Sequence, residues 1–230
     1  MIMRPSGLLR NLLLSIAGML IAAQAQGAAY TLPSASFAPC QGAGNWNQAT
    51  NTCSGQIRFA SGDTLTSSSA LTLTANGGFT LRGNTIGTAS NPITLQAAYN
   101  AIETIAPHAA TIINGSVRND SAAITLTNVT INGSLETASG SVTLTNSSVT
   151  GNVTGTGTGS LSNTNVGGNV SFSNGLSVTG GTLSGTVSTN GNASFTNTSV
   201  IGAVTATNGI TANNSNFSGT ITATNGASSF

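Results

Sequence analysis

The chain has 230 residues, enough for one domain or one domain with an added module. It carries five Arg, no Lys and four carboxylates, so 4% of its residues are charged, where about 25% is usual. Phosphate contacts need clustered Lys and Arg, which excludes a basic nucleic-acid binder. A coiled coil laced with ion pairs is excluded for the same reason, and an ordinary enzyme is disfavoured because catalysis draws on titratable groups. Apolar content of 38% at a net charge of +1 is not the composition of a disordered chain either.

Residues 1–25 read as an export leader. Arg4 and Arg10 precede an apolar run from Leu12 to Ala22, and Ala23-Gln24-Ala25 is a small-x-small cleavage site ahead of Gln26. The run of about 11 residues is too short to span a bilayer. Beyond it, Arg58, Arg82 and Arg118 stand against Asp63, Glu103, Asp120 and Glu136, a net −1 that attracts neither a membrane surface nor a polyanion. The expected location is the periplasm, the outer surface or the medium, with no membrane insertion once the leader is removed.

Residues 26–56 hold the only two cysteines, Cys40 and Cys53. An even count in an exported chain predicts a disulfide. It would close a polar, turn-rich loop and stabilise by about 3 kcal/mol on the loop-entropy model. This segment is expected to cap one end of the fold. Two Cys with a distant His108 are too few for a metal site, and the spacing is not Cys-x-x-Cys. No cofactor is expected.

Residues 57–111 show apolar pairs at strand spacing: Ile57/Phe59, Leu71/Leu73, Phe79/Leu81 and Ile93/Leu95. Turn clusters such as Ala60-Ser61-Gly62-Asp63 separate them. They read as irregular first coils. The stretch 97–103 fits either one helical turn or a loop.

Residues 112–230 contain a repeat of about 17 residues. The phrase apolar-x-Gly-x-apolar is centred on Gly115, Gly133, Gly151, Gly168, Gly185, Gly202 and Gly219, spaced 18, 18, 17, 17, 17 and 17. Two residues before these glycines stand Ile113, Ile131, Val149, Val166, Leu183, Val200 and Phe217. Two residues after stand Val117, Leu135, Val153, Val170, Val187, Val204 and Ile221. All fourteen are apolar, which chance would produce on the order of once in a million at this composition. A second strand precedes each phrase, with Ile124/Leu126, Val142/Leu144, Leu176/Val178, Ala193/Phe195 and Ile210/Ala212. One coil departs from this, pairing Gly159 with Leu161. Five residues before each Gly from Gly133 on stand Asn128, Asn146, Asn163, Gly180, Asn197 and Asn214. Asn and Gly share tolerance of positive φ, so this slot predicts a left-handed corner whose Asn side chains can bond from coil to coil. Ser139-Gly140, Asn174-Gly175, Asn190-Gly191, Asn208-Gly209 and Asn225-Gly226 mark a further corner.

A coil this short cannot bury its own apolar residues, so the pattern predicts an all-β, parallel β-solenoid. The apolar residue at every sixth position that left-handed solenoids require is absent, which favours right-handed winding. Charge is absent for the 94 residues after Glu136, as expected where each residue sits beside its own copies.

The chemistry-bearing residues of the repeat region are few. Glu103, His108, Arg118, Asp120 and Glu136 all fall in its first coils, and Arg118 with Asp120 suits a surface pair. They do not make the converging acid set of a polysaccharide-cleaving β-helix. No Asp recurs once per turn to hold calcium. The Asn-x-Ser/Thr tripeptides at Asn114, Asn128, Asn132, Asn146, Asn152, Asn169, Asn192, Asn197 and Asn216 follow from composition. An outward array remains: Thr125/Thr127, Thr143/Thr145, Ser160/Ser162, Ser177/Thr179 and Ser194/Thr196 lie between inward residues. It is similar to the hydroxyl faces of ice-binding solenoids, and equally suits a solvated β-branched surface.

The segment from Tyr30-Thr31-Leu32-Pro33 through the Cys40/Cys53 pair to Gly62-Asp63-Thr64, followed by Gly-x-Val repeats, resembles the N-terminal region of MSHA biogenesis protein Q-type exported proteins. Those are long chains associated with a type IV pilus of the mannose-sensitive haemagglutinin kind. The resemblance implies a non-catalytic surface scaffold with pilus or other surface proteins as partners, or carbohydrate. The Gly-x-Val rhythm is also similar to that of bactofilins, cytoplasmic polymer-forming solenoids, which implies self-stacking as the alternative. The last repeat ends at Asn225-Gly226 with no polar cap. It is therefore expected to continue into further chain, to stack on another copy, or to be lidded by Phe230.

Overall fold

The computed structural model describes residues 27–42 and 45–230; the expected leader lies outside them. Every named element is a β-strand. The strands form three sheets of 10, 10 and 11 strands, in which each strand pairs with its counterpart one coil away. The pairing is parallel throughout except in one hairpin, Trp46–Asn47 with Thr52–Cys53, and one isolated bridge, Cys40 to Ile57. The fold is thus the expected parallel β-solenoid. Ten strands at about 4.8 Å spacing give a rod of roughly 45 Å.

A typical coil shows how the sequence sets the path. Val129–Ile131 lies in sheet 1, Leu135–Thr137 in sheet 2 and Val142–Thr145 in sheet 3. The expectation of two strands per coil is therefore corrected to three. The apolar-x-Gly-x-apolar phrase is not one strand but the end of one and the start of the next, with Gly at the bend. These glycines serve close approach. A Cβ on Gly133, Gly151, Gly168, Gly185, Gly202 or Gly219 would come within 3.0 Å of the phrase glycine one coil earlier. The bend thus repeats as a column of glycines stacked backbone on backbone.

The Asn corner falls where expected, between sheets 3 and 1. Asn128, Asn146, Asn163, Asn197 and Asn214 have φ of 57°, 49°, 48°, 53° and 50°, and Gly180 has 72°. Two side-chain bonds run from coil to coil, Asn163 Nδ2 to Asn146 Oδ1 at 3.2 Å and Asn214 Nδ2 to Asn197 Oδ1 at 2.6 Å. Four of these six corners are tightened by the next residue. The hydroxyls of Ser147, Thr164, Thr198 and Ser215 donate to the carbonyl two residues back, at 2.8–3.1 Å.

Register follows the repeat. Leu135 pairs with Val153, Val153 with Val170, Val170 with Val187 and Val187 with Val204. Of the fourteen phrase residues, twelve are buried; Phe217 and Ile221, in the last coil, are half-buried. Burying a Val, Leu or Ile contributes about 1.5–3 kcal/mol, and here each does so only against the coils above and below. The earlier coils are longer. Ile57 pairs with Phe79, Phe79 with Ile102 and Ile102 with Ile124, steps of 22 to 23 residues. Within them, residues 98–101 form a loop between Ile93–Ala97 and Ile102–Thr104, so no helical turn forms there.

At the other end the disulfide forms between Cys40 and Cys53, with Cα atoms 5.6 Å apart. Cys53 pairs with Ala75 in sheet 2, and Cys40 bridges to Ile57, so the covalent link fastens the hairpin to the segment that crosses the first coil. Tyr30, Phe37, Trp46 and Phe59 cluster there with ring centroids 5.0–6.0 Å from Phe37. Asp63, 2% exposed, accepts the backbone N–H of Ala28 and of Ala60, both at 2.7 Å, and so fixes the Gly62-Asp63-Thr64 turn against the first strand.

The coil with Gly159 is compensated rather than weak. Phe172 is buried in sheet 2 of the following coil. A Cβ at Gly155 or Gly159 would come within 3.0 Å of its ring, so the missing side chains make room for it. Phe172→Ala should destabilise by about 3–5 kcal/mol, as a cavity. Gly159→Val alone should cost about 1–3 kcal/mol by overpacking. The double variant should recover part of the sum, and a denaturant-melt cycle that is simply additive would contradict this packing.

Candidate functional site

Outward positions inherit the same register, so the surface consists of ranks. Sheet 3 carries two. Thr125, Thr143, Ser160, Ser177, Ser194 and Thr211 pair in succession, as do Thr127, Thr145, Ser162, Thr179, Thr196 and Asn213. The residues between them, such as Leu126, Leu144, Leu161, Val178 and Phe195, are buried. The expected array is therefore a real face, two side chains wide and at least six coils long, with members half-buried or exposed. Neighbours stand about 4.8 Å apart across coils and roughly 6.7 Å apart along each strand.

Sheet 2 carries one outward rank. Gln96, Arg118, Glu136, Thr154, Ser171, Ser188, Thr205 and Thr222 follow one another. Three charged residues cluster at its start, where they complement one another. Arg118 Nε donates to Asp120 Oδ1 at 2.7 Å and its Nη1 to Glu136 Oε2 at 3.1 Å, while Gln96 Nε2 donates to Asp120 Oδ2 at 2.9 Å. The hydrogen bond from Gln96, then that from Arg118, hold the Asp120 carboxyl below its usual range. The hydrogen bond to Asp120 and the charge of Glu136 push the Arg118 guanidinium up. The expected Arg118–Asp120 pair is thus present, widened to a four-residue network.

The remaining titratable residues are not brought to it. Glu103 lies in sheet 3, paired with Thr80 and Thr125, on another face from Arg118. The His108 Nδ1 lies 2.6 Å from the carbonyl oxygen of its own neighbour, Ala109. Among the described residues no three His, Cys, Asp or Glu side chains are grouped to hold a metal ion.

A further ladder carries no apolar signal and escaped sequence reading. The residue after each of the first four phrase glycines accepts the backbone N–H one coil on. Ser116 Oγ accepts from Ser134 N, Ser134 Oγ from Asn152 N, Asn152 Oδ1 from Asn169 N and Asn169 Oδ1 from Thr186 N, at 2.8–3.1 Å. Several glycosylation-like tripeptides therefore have a structural reason beyond composition. Asn128, Asn146 and Asn197 are left-handed corners, and Asn152 and Asn169 belong to this ladder.

No family model, curated protein or solved structure matches the chain.

Asp120 is partly exposed, so its network stabilises by less than about 1 kcal/mol. Because its folded pKa is lowered, the contribution is complete above the unfolded value of 3.8 and is lost as pH falls through the folded value. Asp120→Asn should be slightly less stable than the parent at pH 7. The gap should close under acid conditions that protonate Asp120, as read from melts across pH.

Proposed function

We infer that the protein is a non-catalytic, exported surface scaffold: a stiff β-solenoid rod of the pilus- or adhesion-associated kind. The observation that supports this most is the continuous parallel pairing of three sheets from the first coils to the last. In such a stack each coil is held by backbone bonds to both neighbours, so the rod resists bending and presents surface features at fixed spacing. The Cys40–Cys53 disulfide suits an oxidising compartment outside the cytoplasm. The resemblance of the N-terminal segment to MSHA biogenesis protein Q-type proteins supports the surface assignment, with pilus or other surface proteins as the partners.

Localisation tests this directly. In the native host, the chain should be cleaved after Ala25, carry oxidised Cys40 and Cys53, and be reached by protease or a labelling reagent on intact cells. Retention in the cytoplasm with both thiols free would overturn it.

One observation favours a second reading. The two in-register hydroxyl ranks of sheet 3 contain no charge between Thr125 and Asn213 and stand on a stiff parallel sheet. Such a repeating, uncharged face can order water and adsorb to ice. If it does, the protein should show thermal hysteresis that Thr143→Lys with Thr145→Lys abolishes without lowering the melting temperature. No hysteresis in the parent protein leaves the scaffold reading alone.

A further inference from the structure

The capping segment holds a groove that the rod does not require. It is open, about 690 Å³, and is lined by Trp46, Asn47, Gln48, Thr50, Thr52 and Ser54 among others. Being widely open to solvent, it suits a ligand held on one face and not one enclosed. Its floor is pre-organised. The Trp46 indole packs against buried Phe37 with centroids 5.0 Å apart, and its Nε1–H donates to Ser34 O at 2.8 Å, so the ring cannot rotate away. Trp46 pairs with Cys53, which the disulfide fixes to Cys40 and which pairs in turn with Ala75 of the first coils, so the strand beneath it is held on both sides. Trp46 remains half-exposed, and Asn47, Gln48 and Thr50 on its rim are exposed. Asn47 Oδ1 is occupied by the backbone N–H groups of Ala49 and Thr50, which holds this side chain in place and leaves its amide N–H pair as donors.

The chemistry of the lining selects the ligand. No lining residue is charged, so an anionic ligand finds no counter-ion and a cationic one no carboxylate. The apolar part is one aromatic ring with small neighbours, too little for the side-chain pockets by which peptides are read. One fixed ring surrounded by amides and hydroxyls matches a neutral pyranose: its C–H face covers the indole, and its hydroxyls exchange bonds with Asn47, Gln48 and Thr50. We propose that this groove is a binding site for neutral carbohydrate, carried at the capped end of the rod.

Trp46 is the only tryptophan in the chain, so its emission reports on this groove and no other place. The disulfide-bonded protein should be titrated with malto-, cello- and mannooligosaccharides at up to millimolar concentration. The emission should shift saturably, and acrylamide quenching should fall, with at least one of them. Oligogalacturonate, of similar size but anionic, should give no shift. Gln48→Ala with Thr50→Ala should weaken the binding about tenfold or more while leaving the unliganded spectrum and the melting temperature unchanged. Trp46 itself is left in place because it packs on Phe37. A flat titration with all three neutral series overturns the proposal, and so does binding that the double variant does not weaken. Either result leaves the scaffold reading standing, since that depends on cell-surface localisation and not on Trp46.

Discussion

In-register parallel stacking is the constraint on which everything else in this molecule depends. Each residue of a regular coil lies about 4.8 Å from its equivalents in the coils above and below. A side chain must therefore be compatible with itself, twice. Apolar residues satisfy this by packing, as the Val153–Val170–Val187–Val204 column does. Asn satisfies it by donating to its own copy, as Asn163 does to Asn146. Glycine satisfies it by offering no side chain where two backbones touch, as at Gly133 over Gly115. A charged side chain cannot satisfy it, because its copy repels it. The low charge of the chain is thus a result of the architecture and not an adaptation to a ligand.

Two of the exceptions show how charge is accommodated. The Arg118 network sits in the early coils, where neighbouring equivalents differ: Gln96 on one side and Glu136 on the other. Asp63 is buried, yet its carboxylate accepts two backbone N–H groups at a turn where no equivalent carboxylate stacks on it. Long coils supply local variety, and that variety admits titratable groups. The later coils offer no such variety, and from Thr137 onward no titratable side chain occurs. Any chemistry this chain performs must therefore use neutral groups along the regular rod, or lie toward the irregular N-terminal coils and cap.

The legible parts of the fold are those where the stacking rule restricts residue type tightly. Positive φ is open to few residues, so five Asn and one Gly at one slot marked the corner without further help. The phrase glycines were visible, but their role was not. A strand pattern broken at Gly reads as one strand when both flanks are apolar, and only the stacked backbones show that the chain bends there. The ladder from Ser116 to Thr186 was invisible for a different reason: its donors are main-chain N–H groups, which every residue but proline carries. Gly159 stood out as an anomaly, yet the residue that explains it, Phe172, lies in a different sheet of the next coil. Compensation of that kind is a contact between faces and leaves no periodic trace.

The two surfaces on which function can rest differ in origin. The hydroxyl ranks of sheet 3 are what stacking produces whenever a strand face is polar and uncharged; Thr and Ser are strand-compatible and self-compatible, so their repetition needs no ligand to account for it. The Trp46 groove has no such origin. Its aromatic ring, amides and hydroxyls occur once, in the antiparallel hairpin that departs from the parallel scheme. A repeated feature in a repeat protein is explained first by the repeat. A feature that appears once, rigidly held and left half-open, calls for a separate explanation, and here the cap contains it while the rod sets its distance from whatever the other end meets.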